Sequence, residues 1–281
     1  DVLAKGRISI TGSYQLPAST AGDIEKAMIK ESVFRNIATV IKAYKSGYRI
    51  VAKDCDDVAE FIPELGEIPV QDGMRDFNET SIESHKLAVF VKLEEDFVRD
   101  AVFGLERYLI GRFAKNFGKA EDEAFINGTG KHMPTGILAE NGGAEVGATS
   151  DALTYDDVVK LFFSVKPEYR KNGTWLMNDE TALALRTLKD SDGNYIWNHA
   201  NDTILGKKVC ISEFMPGADA NSKPIAFGDF RYFWIIDRWP FEMCRLTELF
   251  ALQQQVGFIG QEYLDAKLIR PEAIHVMQIT A

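Results

Sequence analysis

The sequence predicts an α+β fold in which an extended hairpin and a long helix precede a region of alternating helices and strands. Residues 94–127 carry apolar side chains at steps of three or four, the spacing that one face of a helix requires. Residues 48–93 contain two strand-like runs on either side of a loop rich in Gly and Pro. From residue 155 onward, helical patterns alternate with short apolar runs, which is typical of an α/β unit.

The composition is that of a folded protein without a membrane span. Hydrophobic residues make up 46% and charged residues 26% of the 281 positions, so a sizeable core can form. The net charge of −10 argues against tight nucleic-acid binding, because such binders neutralise phosphates with Lys and Arg. No apolar run approaches the ~20 residues that a membrane span needs. Three scattered cysteines favour a reducing, intracellular compartment over a disulfide framework.

The N-terminal region lacks a sustained pattern. Residues 1–22 are mostly small and polar, so we expect an extended arm that needs a partner surface to become ordered. Residues 23–48 give a mixed pattern that favours a short helix followed by a strand. The chain begins at Asp1 instead of Met, which indicates either a trimmed chain or a precursor cut by a protease.

Residues 48–93 are interpreted as a long two-stranded hairpin that extends away from the rest of the chain. Its first arm lies around residues 48–53 and its returning arm at 79–93, with Pro63, Gly66 and Pro69 in the loop between them. A lone hairpin of this length is only marginally stable in water. It therefore has to lie against another part of its own chain or against a neighbour.

The pattern at residues 94–127 predicts one long helix, with Gly104 as a point where it could break. A main part of about 24 residues would be about 36 Å long. Gly104, Gly111 and Gly118 are spaced by seven residues and share one helix face, although each glycine weakens a helix interior by about 1 kcal/mol. Either another element approaches this face closely or the three glycines are tolerated on a solvent face. Asn127 and the glycines that follow it end the helix.

The second half of the chain is predicted to alternate between helices and strands. Residues 141–150 are interpreted as a flexible connector and a domain boundary. Asn178 or Asp179 can cap the second helix. The last strand could return to the sheet of the middle domain, which would make the domain discontinuous. The predicted helices are 155–165 and 179–188, and the predicted strands are 174–177, 208–212, 224–227, 234–237, 242–245 and 273–279.

No constellation in the sequence predicts a catalytic, cofactor or metal site. The paired carboxylates at 56–57 and 156–157 are better explained as capping or solvated groups. Residues 127–131 (NGTGK) follow a helix and lack the phosphate-loop pattern. There is no G-x-S-x-G elbow, although a triad assembled in space stays open. No His is at metal-ligand spacing with another His or Cys; the histidines are His85, His132, His199 and His275.

Four motifs in fixed order carry a resemblance to a known family. The most specific is EDEAFINGTGKHMPTGIL at 121–138, an acidic and apolar helix end followed by G-x-G and P-x-G-I. WLMNDETALALRTLKDSDGNYIW (175–197), LGKKVCISEFMP (205–216) and GDFRYFWIIDR (228–238) follow it. Together with the arm, hairpin and long helix, they resemble the HK97-fold major capsid proteins of tailed bacteriophages over nearly the whole chain.

The resemblance implies a division into four regions. An N-terminal arm would comprise residues 1–32, and an extended loop would comprise 48–88. The peripheral domain would combine 33–47, 89–142 and 241–265, with a spine helix at about 103–127. The axial domain would combine 143–240 and 266–281.

The resemblance also implies a structural protein of the virion, not an enzyme. Its members form pentamers and hexamers that close an icosahedral shell around double-stranded DNA, so we expect self-association and no membrane partner. A portal, a maturation protease and decoration proteins are further expected partners, and assembly would occur in the host bacterial cytoplasm. Asp1 would then be the first residue of a processed, mature subunit. An acidic protein suits a shell whose inner surface does not bind the phosphates of the enclosed DNA.

Some family members crosslink subunits through an isopeptide bond between a Lys on the extended loop and an Asn near the C-terminus, assisted by a Glu. The loop tip here, 60–78, contains no Lys. By register against Arg270 and Pro271, the acceptor position falls near Gln254 and the assisting position near Gln261, beside Glu262. We therefore expect noncovalent contacts to hold the shell.

Without crosslinks, the apolar and charged residues of the loop become candidate interface anchors, because so many large apolar side chains on an exposed loop would otherwise promote aggregation. The charged members could equally be solvated rim groups that contribute little. The candidates are Phe61, Ile62, Glu64, Leu65, Glu67, Ile68, Met74, Arg75 and Phe77.

Two other functions stay open at this point. An encapsulin-type compartment shares the fold but encloses cargo enzymes, whereas the motifs at 128–138 and 175–178 look more like those of phages. An α/β enzyme built on residues 143–245 predicts a monomer or a small oligomer. The size and the contents of the particles would distinguish these two functions from that of a phage capsid.

Overall fold

A computed structural model describes residues 14–15, 18–43, 49–53, 77–99, 105–188, 197 and 203–280. These residues form a mixed α+β chain, which confirms the predicted class. The helices are α1 (Ala18–Glu31), α2 (Phe34–Ile37), α3 (Glu95–Arg99), α4 (Leu105–Asn127), α5 (Tyr155–Ser164), α6 (Pro167–Arg170) and α7 (Asp179–Thr187). The strands are β1 (Tyr14–Gln15), β2 (Thr39–Lys42), β3 (Arg49–Lys53), β4 (Phe77–Ser81), β5 (His85–Glu94), β6 (Glu145–Ser150), β7 (Thr174–Met177), β8 (Thr203–Ile204), β9 (Lys207–Ile211), β10 (Ile225–Gly228), β11 (Phe233–Leu246), β12 (Gln255–Leu268) and β13 (Ile274–Ile279).

The first sheet is built on β11 and β12, two antiparallel strands of 14 residues each. Strand order is β1-β11-β12-β5, and β2 pairs in parallel with β11. Helices α1 and α4 pack together beside this sheet, where Ile24 and Met28 of α1 are buried with Phe113 and Phe117 of α4. The helical pattern of residues 105–127 therefore reflects a real apolar face.

The second sheet has six strands in the order β6-β13-β10-β7-β9-β8. Its core is centred on Trp175, whose ring lies 4.2 Å from that of Phe227, centroid to centroid. Helix α7 begins as predicted, because the Asn178 side chain accepts a hydrogen bond from the Thr181 amide at 2.7 Å. The C-terminal strand β13 returns to this sheet beside β10, so the sheet combines distant parts of the chain.

A cluster of phenylalanines joins the two sheets. Phe34 of α2 contacts Phe125, Phe230 and Phe233, with ring centroids 5.4–5.9 Å apart. The same buried cluster includes side chains from both sheets, such as Leu176 and Ile235. One continuous core therefore connects the two halves of the fold.

Several predicted elements have different bounds in the structure. Helix α1 begins at Ala18, inside the region expected to be an extended arm, because Ile24 and Met28 bury against α4. Residues 145–150, expected to be a flexible connector, form strand β6, which pairs in parallel with β13. The returning arm at 79–93 is two strands, since β4 pairs with β3 whereas β5 pairs with β12.

The β11–β12 pair differs most from the prediction. The segments 234–237 and 242–245 are parts of one strand with register shifts around Trp239, and β12 was not predicted as a strand. The domain boundaries expected at 240/241 and 265/266 fall inside β11 and β12. The division into peripheral and axial domains stays a prediction, with Gly104 and residues 100–103 outside the described part of the chain.

Candidate assembly surface and a buried charge cluster

The loop residues expected to hold neighbouring subunits lie almost entirely outside the described residues. Phe77 is the first residue of β4, and its backbone is paired with that of Lys53 in β3. Phe61, Ile62, Glu64, Leu65, Glu67, Ile68, Met74 and Arg75 lie outside the described residues. Their role at an interface stays a prediction.

Two of the three glycines on the spine helix α4 are described, and their surroundings differ. A Cβ at Gly118 would lie 3.3 Å from the Cβ of Glu31, because the end of α1 crosses the helix there. Among the described residues, no heavy atom beyond those of its own helix turn lies within 4 Å of a Cβ placed at Gly111. Gly118 thus permits the close packing of α1 inside one subunit, whereas the Gly111 face is open.

Three large apolar side chains converge on an open depression that the sequence did not indicate as a site. Ile29, Val40 and Trp239 are 44%, 37% and 51% exposed, and we call them the Trp239 patch. They line a cavity of about 230 Å³ between α1, β2 and β11. Trp239 and Pro240 occupy the irregular part of β11, where the pairing register with β12 shifts. In the sequence, the Trp-Pro dipeptide inside a strand could have indicated this irregular site, because Pro interrupts the hydrogen-bond ladder of a sheet.

A buried cluster of charges lies behind this depression. The Arg35 guanidinium donates to both carboxylate oxygens of Glu121, at 2.7 Å from Nε and 2.5 Å from Nη2. The same guanidinium donates to Asp237, at 3.1 and 3.3 Å. Glu262 of β12 completes the cluster and is 5% exposed. We call these four residues the Arg35 cluster.

Asp122 fixes the turn that carries Arg35. Its carboxylate accepts hydrogen bonds from the Ser32 hydroxyl at 2.6 Å, the Val33 amide at 2.8 Å and the Phe34 amide at 3.2 Å. These donors lie at the start of α2, so a residue of α4 caps a helix that is almost ninety residues away in sequence. Burial raises the pKa of Asp122, while these hydrogen bonds and Arg35 act in the opposite direction.

Glu262 is the least satisfied member of the Arg35 cluster. Its Oε1 atom has no hydrogen-bond partner among the described residues. Burial raises its pKa well above the ordinary value, and the negative charge of Glu121 adds to the effect. The available sequence signal was periodicity: Glu121 lies four residues from both Phe117 and Phe125, and Glu262 is two residues from Leu264 on one strand face.

The positions expected to correspond to a crosslinking site do not converge. Gln254 is at the end of the β11–β12 turn in a left-handed conformation, with a φ of 53°. The Gln261 side chain donates to Glu242 of the neighbouring strand at 3.1 Å. Glu262, directly after Gln261, points to the opposite face of β12 and into the Arg35 cluster.

One contact has the residue types of a catalytic triad but not its surroundings. Ser164 Oγ lies 2.8 Å from His275 Nδ1, and His275 Nε2 lies 3.7 Å from a Glu145 oxygen. Ser164 is the last residue of α5, where a helix presents carbonyl oxygens and not the amides that stabilise an oxyanion. A Cβ at Gly147 would lie 2.3 Å from Ser164 Oγ, so the backbone of β6 covers the hydroxyl. The contact fastens β6 and α5 to β13.

The described residues contain neither a candidate metal site nor a helix that could span a membrane. Within the described ranges, no group of three His, Cys, Asp or Glu side chains is placed to hold a metal ion. Of the described helices, none has the length and hydropathy needed to cross a membrane. The features that stand out are consequently an apolar patch, an open helix face and a buried charge cluster.

Comparisons with known proteins identify the family. Residues 12–279 match the model of the phage capsid family. The solved capsid of an empty GTA particle is 27% identical, covers 100% of this chain and 96% of its own length, and superposes with a TM-score of 0.76. The capsid of a native GTA particle is 26% identical over 98% of this chain and 95% of its own, with a TM-score of 0.74.

A more distant structure shares the fold. The protein from Microbacterium phage Oxtober96 is 17% identical, with a TM-score of 0.68 over 99% of this chain and 97% of its own. Among curated protein sequences, none matches. Because the family model spans nearly all of the sequence and the fold is that of solved phage capsids, the chain belongs to the phage capsid family, whose members are structural proteins of the virion.

Proposed function

We propose that the chain assembles as pentamers and hexamers into an icosahedral shell that encloses double-stranded phage DNA. The match of residues 12–279 to the phage capsid family is the observation that carries this proposal. The similar capsids of the native and empty GTA particles were computed with C5 symmetry, which supports a pentameric arrangement in the proposal. We further propose that a portal and a maturation protease act with the shell, that decoration proteins bind it, and that it assembles in the host bacterial cytoplasm.

The net charge of −10 supports a container that surrounds DNA without binding it specifically. A shell that enclosed DNA within a strongly basic lumen would bind the phosphates and hinder release. Under this proposal the side chains that line the lumen are mainly acidic or neutral. Ordered Lys and Arg contacts to DNA in a particle map would contradict this part of the proposal.

Particle size and contents test the central proposal. Purified full-length chain, with any scaffold it needs, is expected to elute from a sizing column as megadalton particles with icosahedral outlines in negative stain. A monomer or small oligomer under the same conditions would favour the α/β enzyme alternative. Particles from infected cells are expected to contain DNA protected from nuclease, whereas enclosed protein without DNA would favour an encapsulin-type compartment.

A further inference from the structure

The Arg35 cluster contains more acid than base. Glu121 from α4, Asp237 from β11 and Glu262 from β12 surround a single guanidinium from α2. Arg35, Glu121 and Glu262 are almost completely buried, with side-chain exposures of 7% for Arg35 and 0% for Glu121. If all three carboxyls were ionised, two negative charges would be left uncompensated in the interior.

The contacts show which carboxyl lacks a positive partner. Arg35 directs its donors to Glu121 and to Asp237, so each of these two carboxyls has a positive partner. Glu262 instead receives no donor from Arg35 among the described hydrogen bonds: it is 5% exposed, its Oε1 has no partner, and Glu121 is its main charged neighbour. Two carboxylates cannot hydrogen-bond to each other without a proton between them. That proton would neutralise Glu262 and lower the uncompensated charge from two to one, on a cluster whose Asp237 side chain is 17% exposed to solvent.

In the described part of the chain, the basic groups at the edges of the cluster have carboxylate partners outside it. At the mouth of the cavity, Lys42 pairs with Glu25 at 2.9 Å. On the other side of Glu121, His85 lies in a second cavity and is 3.7 Å from Asp265 and 3.8 Å from Glu83. The Glu121–Glu262 pair therefore lies between two cavities, with Glu262 lining the first and Glu121 lining the second.

We propose that Glu262 is a proton-binding site: at neutral pH it keeps its proton and donates it in a hydrogen bond to the Glu121 carboxylate. This proton completes a latch between the α1–α2 segment, the spine helix α4 and the β11–β12 pair. Loss of the proton places a third carboxylate beside one guanidinium and weakens the hold on Arg35. The latch is a property of a single subunit and does not depend on the assembly proposed above.

The sign of the pH dependence follows from the raised pKa of Glu262. Below its ordinary value of 4.5, the carboxyl is protonated in both the folded and the unfolded chain, and it has no effect on the equilibrium. Above that value only the unfolded chain loses the proton, so each further pH unit favours unfolding up to tenfold. The loss of folding stability stops once the pH passes the pKa of Glu262 in the folded chain.

Glu262→Gln tests the proposal, because the amide keeps the size and one donor toward Glu121 but cannot titrate. We expect the denaturation midpoint of the full chain to fall less between pH 5 and pH 8 in Glu262→Gln than in wild type, with the two converging near pH 4.5. Glu248→Gln in the exposed β11–β12 turn is the matched control and should follow wild type. Parallel profiles for wild type and Glu262→Gln would overturn the proposal.

Two measurements on folded protein keep the test independent of how well the variant folds. The infrared difference spectrum of wild type minus Glu262→Gln at pH 7 is expected to show a protonated carboxylic acid, and the absence of that band from the difference would overturn the proposal. Hydrogen exchange of residues 22–37, corrected for its intrinsic pH dependence, should rise with pH more in wild type than in Glu262→Gln. An equal rise in both would exclude the latch.

Discussion

At the scale of single residues, Arg35 shows that a buried charge requires its partners to stay in place. Its guanidinium is 7% exposed and bridges Glu121 of α4 to Asp237 of β11. Burying such an ion pair is not by itself favourable, because the desolvation of both charges offsets their attraction. Once the partners are buried, however, the loss of one of them leaves the other charge uncompensated. The Arg35 cluster therefore fixes the position of α2 more than it contributes net stability.

Replacing Arg35 is expected to be costly for this reason. Arg35→Met should lower the free energy of unfolding by about 3–5 kcal/mol, since it leaves two buried carboxylates without their cation. Denaturant unfolding of the purified subunit, monitored by tryptophan fluorescence, measures the change. Lys26→Met is the control: Lys26 is 78% exposed in its ion pair with Asp23, so the variant should unfold like wild type. A similarly small effect for Arg35→Met would show that the cluster is dispensable.

At the scale of elements, the spine helix α4 connects the parts of the fold. Phe113 and Phe117 pack into the core shared with α1 and the first sheet. One to two turns further on, Asp122 caps α2, and Phe125 enters the phenylalanine cluster that joins the two sheets. Because α4 packs against both sheets, a displacement of this helix would disturb the packing of both.

The two described glycines of α4 predict opposite effects. Gly111→Ala should raise the free energy of unfolding of the subunit by up to about 1 kcal/mol, since the new methyl group meets nothing in the described residues and alanine favours the helix. Gly118→Leu should lower it by about 1–3 kcal/mol, because the larger side chain has to displace the end of α1. Thermal unfolding of the two variants checks both signs.

The Gly111 face also provides a test of close packing between subunits. The glycine stripe either admits another element or faces solvent, and inside one subunit the described residues place no element at Gly111. If a second copy packs there, Gly111→Leu should fold normally but form fewer particles. Normal assembly of that variant would assign the Gly111 face to solvent.

At the scale of the whole molecule, the two sheets share a core while apolar side chains remain at the surface. The phenylalanine cluster around Phe34 holds the sheets together, yet Ile29, Val40 and Trp239 stay partly exposed around one depression. Contiguous exposed apolar groups on a soluble chain usually mark a contact with another molecule. In a shell protein, a second copy of the chain is the expected partner.

Truncating the Trp239 patch should therefore impair assembly more than folding. Trp239→Ala is expected to retain the far-ultraviolet spectrum and unfolding midpoint of wild type but to yield fewer particles at a given protein concentration. Leu183→Ala in α7 is the matched control, because Leu183 is 64% exposed and lies in the other half of the fold. Assembly titrations followed by light scattering measure both. Equal assembly of the three proteins would remove the patch from the interface.

The residues at the expected crosslinking positions predict how the particles dissociate. With no Lys in 60–78, Gln at 254 and 261, and Glu262 inside the Arg35 cluster, the shell should be held by noncovalent contacts alone. Mature particles boiled in SDS are expected to give a single monomer-sized band, about 31.5 kDa for this chain. A ladder of covalent multimers would refute this prediction.

The sequence determined the elements whose periodic pattern is local. The spacing of apolar residues predicted the helix that ends at Asn127, and the strand at Thr174–Met177 was predicted with its observed bounds. Strand β12 was missed because two of its positions are glycines: a Cβ at Gly257 would lie 2.8 Å from Phe90, and one at Gly260 would lie 2.9 Å from Phe113. These glycines make room for aromatic rings from other elements, and they weaken the strand signal in the sequence.

Only the tertiary structure decided which charges meet. Arg35 is 86 residues from Glu121 and 202 residues from Asp237, so no local spacing connects them. The open Gly111 face and the Trp239 patch are likewise properties of how α1, β2 and β11 are arranged in space. Periodicity reports which face of an element is apolar, because that depends on neighbours one or two turns away. It cannot report which buried groups are brought together, because that depends on the packing of elements distant in the chain.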